Sequence, residues 1–329
     1  MRTRLCITKW SKRMKIVVLD AATLGSDLSL SPLEKLGEVT VWANTSPDEI
    51  RGRIEGQDVV ILNKIKIGEA QLPEGSGAPR LICVAATGFD NIDLDACRRR
   101  GVGVANVRGY SSNSVAQVTI GLVLDLMCHL PDYCAFVADG SYSRSGCANR
   151  LVPTYHEVAG MTWGIVGAGK IGSRVADVAR AFGCRVLTCR RHPDGESVDL
   201  ETICREADII TVHTPLTPET RGMIGEREIA MMKDGVILVN MARGAVTDEA
   251  ALAEAVRNGK LGGLGADVYS VEPFGEDHPF YAIRNHARVA LTPHMSWGAY
   301  EARARCLDEM ILNAEAYARG ELRNRVDLE

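Results

Sequence analysis

Three residues in the second half of the chain have the side-chain types needed to handle a small organic acid: Arg243, Glu272 and His294. A guanidinium stays charged at any working pH and meets a carboxylate with two parallel hydrogen bonds. Arg243 therefore suits holding a 2-oxo or 2-hydroxy acid and polarising its C2 oxygen. Imidazole exchanges a proton near neutral pH, so His294 suits donating to that oxygen during reduction and taking the proton back during oxidation. A carboxylate beside an imidazole favours the charged ring, which gives Glu272 the task of orienting His294. Taken singly, each has an ordinary reading as a surface charge, a turn residue before Pro273, or a helix-start histidine after Pro293. What joins them is position. Each stands just past an apolar run that reads as a strand, at 236–240, 265–268 and 289–292, and in an open parallel sheet such positions converge on one crevice.

The elements that must position them start from residues 163–172, Trp-Gly-Ile-Val-Gly-Ala-Gly-Lys-Ile-Gly. An apolar run breaks into glycines and then turns amphipathic, which is strand, tight turn, helix. Gly167 allows the turn, Gly169 lets backbone approach a pyrophosphate, and Gly172 lets the helix lie close on its strand, with phosphate at the helix N-terminus. Ile171, Val175, Val178, Ala179 and Phe182 recur at helical spacing, Gly183 closes the helix, and 185–189 reads as the next strand. Upstream, strands are expected at 16–19, 39–42, 59–62, 81–84 and 103–107, with a helix over 93–100 closed by Gly101. A loop over 85–90 follows the fourth of these, at the ligand-binding end of such a sheet. A helix over 111–130, ended by Pro131, leads into an irregular stretch at 132–160. Further strands at 209–212, a helix over 247–258 and a closing helix over 299–319 complete the pattern. Near-continuous apolar strands alternating with helices imply parallel sheets covered on both faces. The expected fold is α/β with two doubly wound parallel-sheet domains. Residues 1–112 and 300–329 would form a flavodoxin-like substrate domain, and 113–299 a Rossmann dinucleotide-binding domain.

Composition narrows the class. The 329 residues suffice for two domains, and 46% hydrophobic against 24% charged residues is the balance of a folded globular chain. A net charge of -4 gives no reason to expect nucleic acid or an anionic membrane as partner, and no apolar run approaches the roughly 20 residues that span a bilayer. The ten cysteines show neither metal-ligand spacing nor disulfide-scaffold density, so no metal is expected and a cytoplasmic setting is the simplest reading. Residues 1–13 are basic, lack an apolar signal core and are expected to lie outside the fold.

With these segments in this order, the chain resembles the D-isomer-specific 2-hydroxyacid dehydrogenase family from Lys15 onward. The resemblance rests on 163–172, on Val212-His213-Thr214-Pro215-Leu216-Thr217-Pro218-Glu219-Thr220, on Val239-Asn240-Met241-Ala242-Arg243-Gly244, on 265–273 and on Leu291-Thr292-Pro293-His294. It implies hydride transfer between NAD(P)H and C2 of a small 2-oxo or D-2-hydroxy acid, with Arg243, Glu272 and His294 as the catalytic residues. It also implies that Asp267 lies near the nicotinamide carboxamide, Lys170 and Ile171 at the pyrophosphate, and Thr214 beside the adenosine half. His213, Pro215, Thr220, Met241 and Ala242 complete the implied cofactor contacts, and the backbone of Thr87 and Gly88 receives the substrate carboxylate. Within the family, Asn63-Lys64, 82–88 and 113–117 most resemble glycerate dehydrogenases, which reduce hydroxypyruvate. Hydroxypyruvate or glyoxylate is therefore the expected acceptor, with Lys64 adding positive charge near the acid. The competing readings are a dehydrogenase for another acid, of lactate or 3-phosphoglycerate type, and a corepressor-like dinucleotide-binding protein. The resemblance further implies a homodimer through the cofactor domain, with 132–160 as the candidate contact.

One position departs from the pattern. NAD-using relatives place an acidic residue after the strand that follows the glycine helix, but here Cys189 is followed by Arg190 and Arg191. A carboxylate there repels a ribose 2′-phosphate and guanidiniums attract one, so NADP is the expected cofactor, with NAD as the alternative.

Overall fold

The computed structural model describes residues 13–192 and 195–328; the expected extension at 1–13 lies, apart from Arg13, outside the described residues. Two compact units share the chain, one running through Ser111 and resuming at Gly298, the other spanning Ser112–Trp297.

In the first unit β1 (Met14–Val18), β2 (Gly37–Val41), β3 (Val59–Leu62), β4 (Leu81–Val84) and β5 (Gly103–Ala105) form a parallel sheet in the order β2-β1-β3-β4-β5. This is the flavodoxin-like order expected from the sequence. Val17, Leu19, Val60, Leu62, Ile82 and Val84 build its core with Ile54 of α1 (Ile50–Ile54) and Cys97 of α2 (Leu94–Arg100). Helix α2 begins where Asp93 accepts the Ala96 N–H at 2.9 Å and ends at Gly101 in the left-handed region. The C-terminal helix Tyr300–Arg319 packs against β4. The strand expected at 103–107 stops at Ala105, because the Asn106 N–H turns to Asn324 and the Val107 N–H to Ala86.

The second unit carries β6 (Thr162–Val166), β7 (Arg185–Cys189), β8 (Ile209–Val212), β9 (Val236–Asn240), β10 (Leu261–Ala266) and β11 (Val289–Leu291), all parallel, in the order β7-β6-β8-β9-β10-β11. Its helices are α3 (Ser112–Cys128), α4 (Leu130–Ala138), α5 (Ser141–Arg144), α6 (Lys170–Ala181), α7 (Leu200–Glu206), α8 (Glu226–Met231) and α9 (Glu249–Arg257). Strand alternation feeds two cores. Trp163, Ile165, Ile209, Ile237 and Val239 face one layer, which holds Leu122 and Val175. Val166, Ile210, Val212, Leu238 and Leu264 face the other, with Ile203 and Leu252. Each such side chain contributes about 1.5–3 kcal/mol through burial.

Two expectations for this unit are corrected. Residues from Asp132 to Ala138 and from Ser141 to Arg144 are helical rather than irregular, and Pro131 sits in the first turn of α4 instead of merely ending the preceding helix. The chain breaks at His129, which takes φ 51°, and proline is at home in a first helical turn, where no N–H is needed. The strand expected at 265–268 runs from Leu261 to Ala266. The glycines at its start serve close packing: a Cβ on Gly262 would stand 2.3 Å from the Gly235 carbonyl oxygen.

Candidate active site

The six strands of the second unit end flush. Register pairs Cys189 with Val166, Val166 with Val212, Val212 with Asn240, Asn240 with Ala266, and Ala266 with Leu291. The chain therefore leaves the sheet at one level, delivering Arg190, Gly167, His213, Met241, Asp267 and Thr292 as a single row of first residues beyond the strands. The strand order reverses around β6, so the switch point that favours ligands falls beside the glycine turn.

At that turn the three glycines answer different demands. Gly167 has φ 94° and a Cβ there would lie 2.6 Å from the Thr214 nitrogen, so the turn and its neighbour both exclude a side chain. A Cβ on Gly172 would stand 2.4 Å from the Gly167 carbonyl oxygen. Gly169 differs: its φ of -76° suits any residue, and nothing lies within 4 Å of where a Cβ would be. No protein neighbour accounts for a glycine at the exposed N-cap of α6, whereas a phosphate seated on the helix N-terminus does. Cys189 fastens β7 to this turn, its carbonyl accepting from the Gly167 N–H at 3.0 Å and the Ala168 N–H at 3.3 Å. That places the half-buried Arg190 and exposed Arg191 next to the glycine loop.

His213 stands next to Gly167 in the row. The residue is half-buried, and both ring nitrogens are covered and have no hydrogen-bond partner. Burial pushes its pKa down to about 3, so the ring is neutral in ordinary buffers. Unpartnered buried nitrogens beside an open cradle are a second observation that fits a dinucleotide. Thr214 is half-buried, and the Thr220 hydroxyl closes the adjoining loop by donating to the Pro215 carbonyl at 2.7 Å. Met241 and Ala242 turn their side chains into the two cores, leaving backbone for any ligand.

At the other side of the row, His294 Nδ1 lies 2.7 Å from Glu272 Oε2. The other Glu272 oxygen accepts the Tyr269 N–H at 3.0 Å. His294 takes φ 52°, uncommon for a residue with a side chain, and the following backbone is held by Asp267. This fully buried carboxylate accepts the N–H groups of Met295 at 2.9 Å and Ser296 at 3.0 Å, and the Thr292 hydroxyl at 2.6 Å. The Tyr269 hydroxyl donates to the Thr292 carbonyl at 2.9 Å, tying the loop after β10 to that after β11. Burial, with Asp267 nearby, keeps this phenol protonated. Arg243 is half-buried and donates from Nη1 to the Ala242 carbonyl at 2.9 Å. The anchoring parts played by Asp267 and Tyr269 escape sequence reading, because no spacing rule says which oxygen a carboxylate will use or where a phenol will reach.

In the first unit, Thr87 and Gly88 follow β4, and among the described residues no backbone acceptor takes their N–H groups. The Thr87 carbonyl and hydroxyl are engaged by Asn106 and Val107 at 2.7 and 2.8 Å. Lys64 is exposed after β3, with its N–H held at 2.7 Å by the buried Asp20. A hollow in the second unit lined by Leu126, Tyr155 and Val236 lies at the opposite, amino ends of the strands and contains none of these groups. No group of residues able to hold a metal ion occurs among the described residues.

Comparison with known proteins gives the chain its relatives. Residues 120–296 match the family described as D-isomer specific 2-hydroxyacid dehydrogenase, NAD binding domain. The chain is 35% identical to a glycerate dehydrogenase of Methylorubrum extorquens over 317 residues, covering 95% of this chain and 99% of the relative. It is 34% identical to a hydroxypyruvate reductase of Blautia hydrogenotrophica over 318 residues, covering 93% and 98%. A D-lactate dehydrogenase from Aquifex aeolicus, solved with NAD and lactic acid, superposes with a TM-score of 0.82 at 27% identity, covering 95% of this chain and all of that one.

Proposed function

The chain belongs to the D-isomer specific 2-hydroxyacid dehydrogenase family, and from that premise we propose hydroxypyruvate or glyoxylate as its 2-oxo acid and NADPH as its preferred reductant. It is an oxidoreductase that uses a nicotinamide dinucleotide to interconvert small 2-oxo and 2-hydroxy acids. The observation that carries the catalytic reading is the Glu272–His294 pair beside one end of a flush row of strand ends that has the glycine loop and Arg190 toward its other end.

The nicotinamide supplies the hydride. Arg243 holds the acid's carboxylate and polarises the C2 oxygen. The N–H groups of Thr87 and Gly88 receive the carboxylate as well, and Lys64 adds positive charge. Glu272 engages His294 at Nδ1, so the proton passed to the C2 oxygen in reduction is the one on Nε2, and the same atom takes it back in oxidation. Gly169, Lys170 and Ile171 receive the pyrophosphate at the start of α6. Arg190 and Arg191 offer guanidiniums to a 2′-phosphate, with no carboxylate between Cys189 and His192 to oppose it. The intact Arg243, Glu272 and His294 favour catalysis over a corepressor-like role. Val137, Leu151, Val152 and Tyr155 are exposed within the stretch proposed as the dimer contact; no single helix among the described residues is long and apolar enough to cross a membrane, and we assign a cytoplasmic homodimer.

The test is a panel of small 2-oxo acids assayed in parallel with NADPH and NADH. Hydroxypyruvate or glyoxylate should give the highest kcat/KM, with NADPH ahead of NADH. Faster turnover of pyruvate or of a phosphorylated acid, or of NADH, overturns the corresponding part of the proposal.

A further inference from the structure

A second buried carboxylate stands behind the acid–base pair without touching it. Glu249, the first residue of α9, is 8% exposed. One of its oxygens accepts the Ser270 N–H at 2.9 Å; the other accepts the Ser270 hydroxyl in a short hydrogen bond and lies 2.9 Å from His278 Nε2. His278 Nδ1 accepts the Phe280 N–H, which makes Nε2 the protonated ring nitrogen and the donor to Glu249. The imidazole is buried among Phe274, Tyr269 and Phe280, so its orientation is set by packing. A buried carboxylate with three donors on it is fully satisfied and rigid.

What Glu249 grips is the middle of the catalytic loop. Ser270 follows Tyr269, whose N–H holds Glu272 and whose hydroxyl holds the Thr292 carbonyl two residues before His294. The same two residues lie on Gly244, next to Arg243: a Cβ there would stand 2.0 Å from the Tyr269 carbonyl carbon and 2.1 Å from the Ser270 nitrogen. One loop segment thus contacts the chain beside all three catalytic residues.

We propose that Glu249, fixed by His278, is a positioning residue that holds the Tyr269–Ser270 segment so that Glu272 faces His294. This rests on the acid–base roles assigned above. Displacement of the segment changes transition-state geometry more than ground-state binding, so loss of the clamp lowers kcat and leaves KM for the 2-oxo acid nearly unchanged. Glu249→Gln keeps the shape but leaves one acceptor where there were two, so its NH2 faces either the Ser270 N–H or the pair Ser270 Oγ and His278 Nε2, and at least one donor loses its acceptor.

The test is a double-mutant cycle with Glu272→Gln, measured with NADPH and hydroxypyruvate. Glu249→Gln should lower kcat by about tenfold or more with KM within about twofold. In the Glu272→Gln background the same change should cost less than about twofold, because its route of action is already gone. Ser270→Ala should show a milder loss of the same kind, restored by Ser270→Thr, and it provides the reading should Glu249→Gln fold poorly. Equal fold-losses in both backgrounds, or a lowered thermal midpoint with kcat unchanged, overturns the proposal. If Glu272→Gln alone leaves kcat unchanged, the acid–base assignment fails, and the clamp fails with it. A normal response to Glu272→Gln with none to Glu249→Gln or Ser270→Ala removes the clamp alone.

Discussion

Along one row of strand ends, the β6 side and the β10–β11 side are built by different means. At β6 the molecule withholds side chains: Gly169 is exposed, with nothing within 4 Å of where a Cβ would stand, and α6 begins there with no side-chain cap. At β10 and β11 it presents side chains and restrains them, Glu272 against His294 and their loops against the buried carboxylates Asp267 and Glu249. Backbone amides at a helix start bind an anion without needing a defined rotamer. Proton transfer needs an atom held to a fraction of an ångström, which a half-exposed side chain achieves only through its neighbours. Substitutions on the two sides should therefore separate binding from turnover.

The sharpest separation is expected at Arg243. Arg243→Ala should lower kcat/KM for the 2-oxo acid by about a thousandfold, with NADPH affinity kept, while Arg243→Lys retains charge and loses less, about tenfold to a hundredfold. Steady-state kinetics beside a cofactor titration checks this, and a wild-type kcat/KM in Arg243→Lys would argue against paired hydrogen bonding. On the other side, Gly169→Val should weaken NADPH binding by about tenfold or more while stability stays within about 0.5 kcal/mol, because the new side chain enters open space. Gly167→Ala is the contrast, expected to destabilise by about 1–3 kcal/mol from its φ and its approach to Thr214. Unaltered NADPH affinity in Gly169→Val breaks the comparison. Arg190→Asp combined with Arg191→Ser should shift the NADPH-to-NADH ratio of kcat/KM by about tenfold or more toward NADH; an unchanged ratio assigns those arginines to the surface.

The smallest effect concerns stability. His213 in the folded protein protonates only near pH 3, while an unfolded histidine does so near its ordinary value of about 6.5. Its folded value is depressed, so the unfolded chain binds the extra proton first, and stability is lost as pH falls from about 6.5 toward 3. Between pH 6.5 and 5 the cost is about 2 kcal/mol. Denaturant unfolding of the cofactor-free protein should show that loss, and His213→Leu should remove most of it. An equal slope in the variant would mean that other groups carry the acid sensitivity.

Much of this architecture was legible in the sequence where one local rule dominates. The parallel strands announce themselves as apolar runs, α2 by Asp93 and Gly101, and α6 by its glycines and helical spacing. The three chemistry-bearing residues stand out because each follows a run that reads as a strand, where an open parallel sheet gathers its ligand contacts. Legibility failed where a local signal had two meanings. Pro131 reads as a helix stop, yet a first-turn proline is also a helix start, and the preceding kink at His129 decided between them. The start of β10 is hard to read for a related reason: Gly262 and Gly263 weaken the strand pattern, and only the close approach of the Gly235 backbone and Ile237 shows what they are for. Glu249 reads as an ordinary acidic residue at the start of a helix; only tertiary structure turns its carboxylate onto Ser270 and His278.

The account depends most on His294 as the proton donor in a site whose cofactor grip lies elsewhere on the row. The direct measurement is a titration of His294→Ala with NADPH, followed in the same sample by addition of hydroxypyruvate and timing of NADPH loss by absorbance. NADPH should bind with wild-type affinity and its oxidation should be slower by about a hundredfold or more. Oxidation at the wild-type rate, or loss of NADPH binding in the variant, would contradict it.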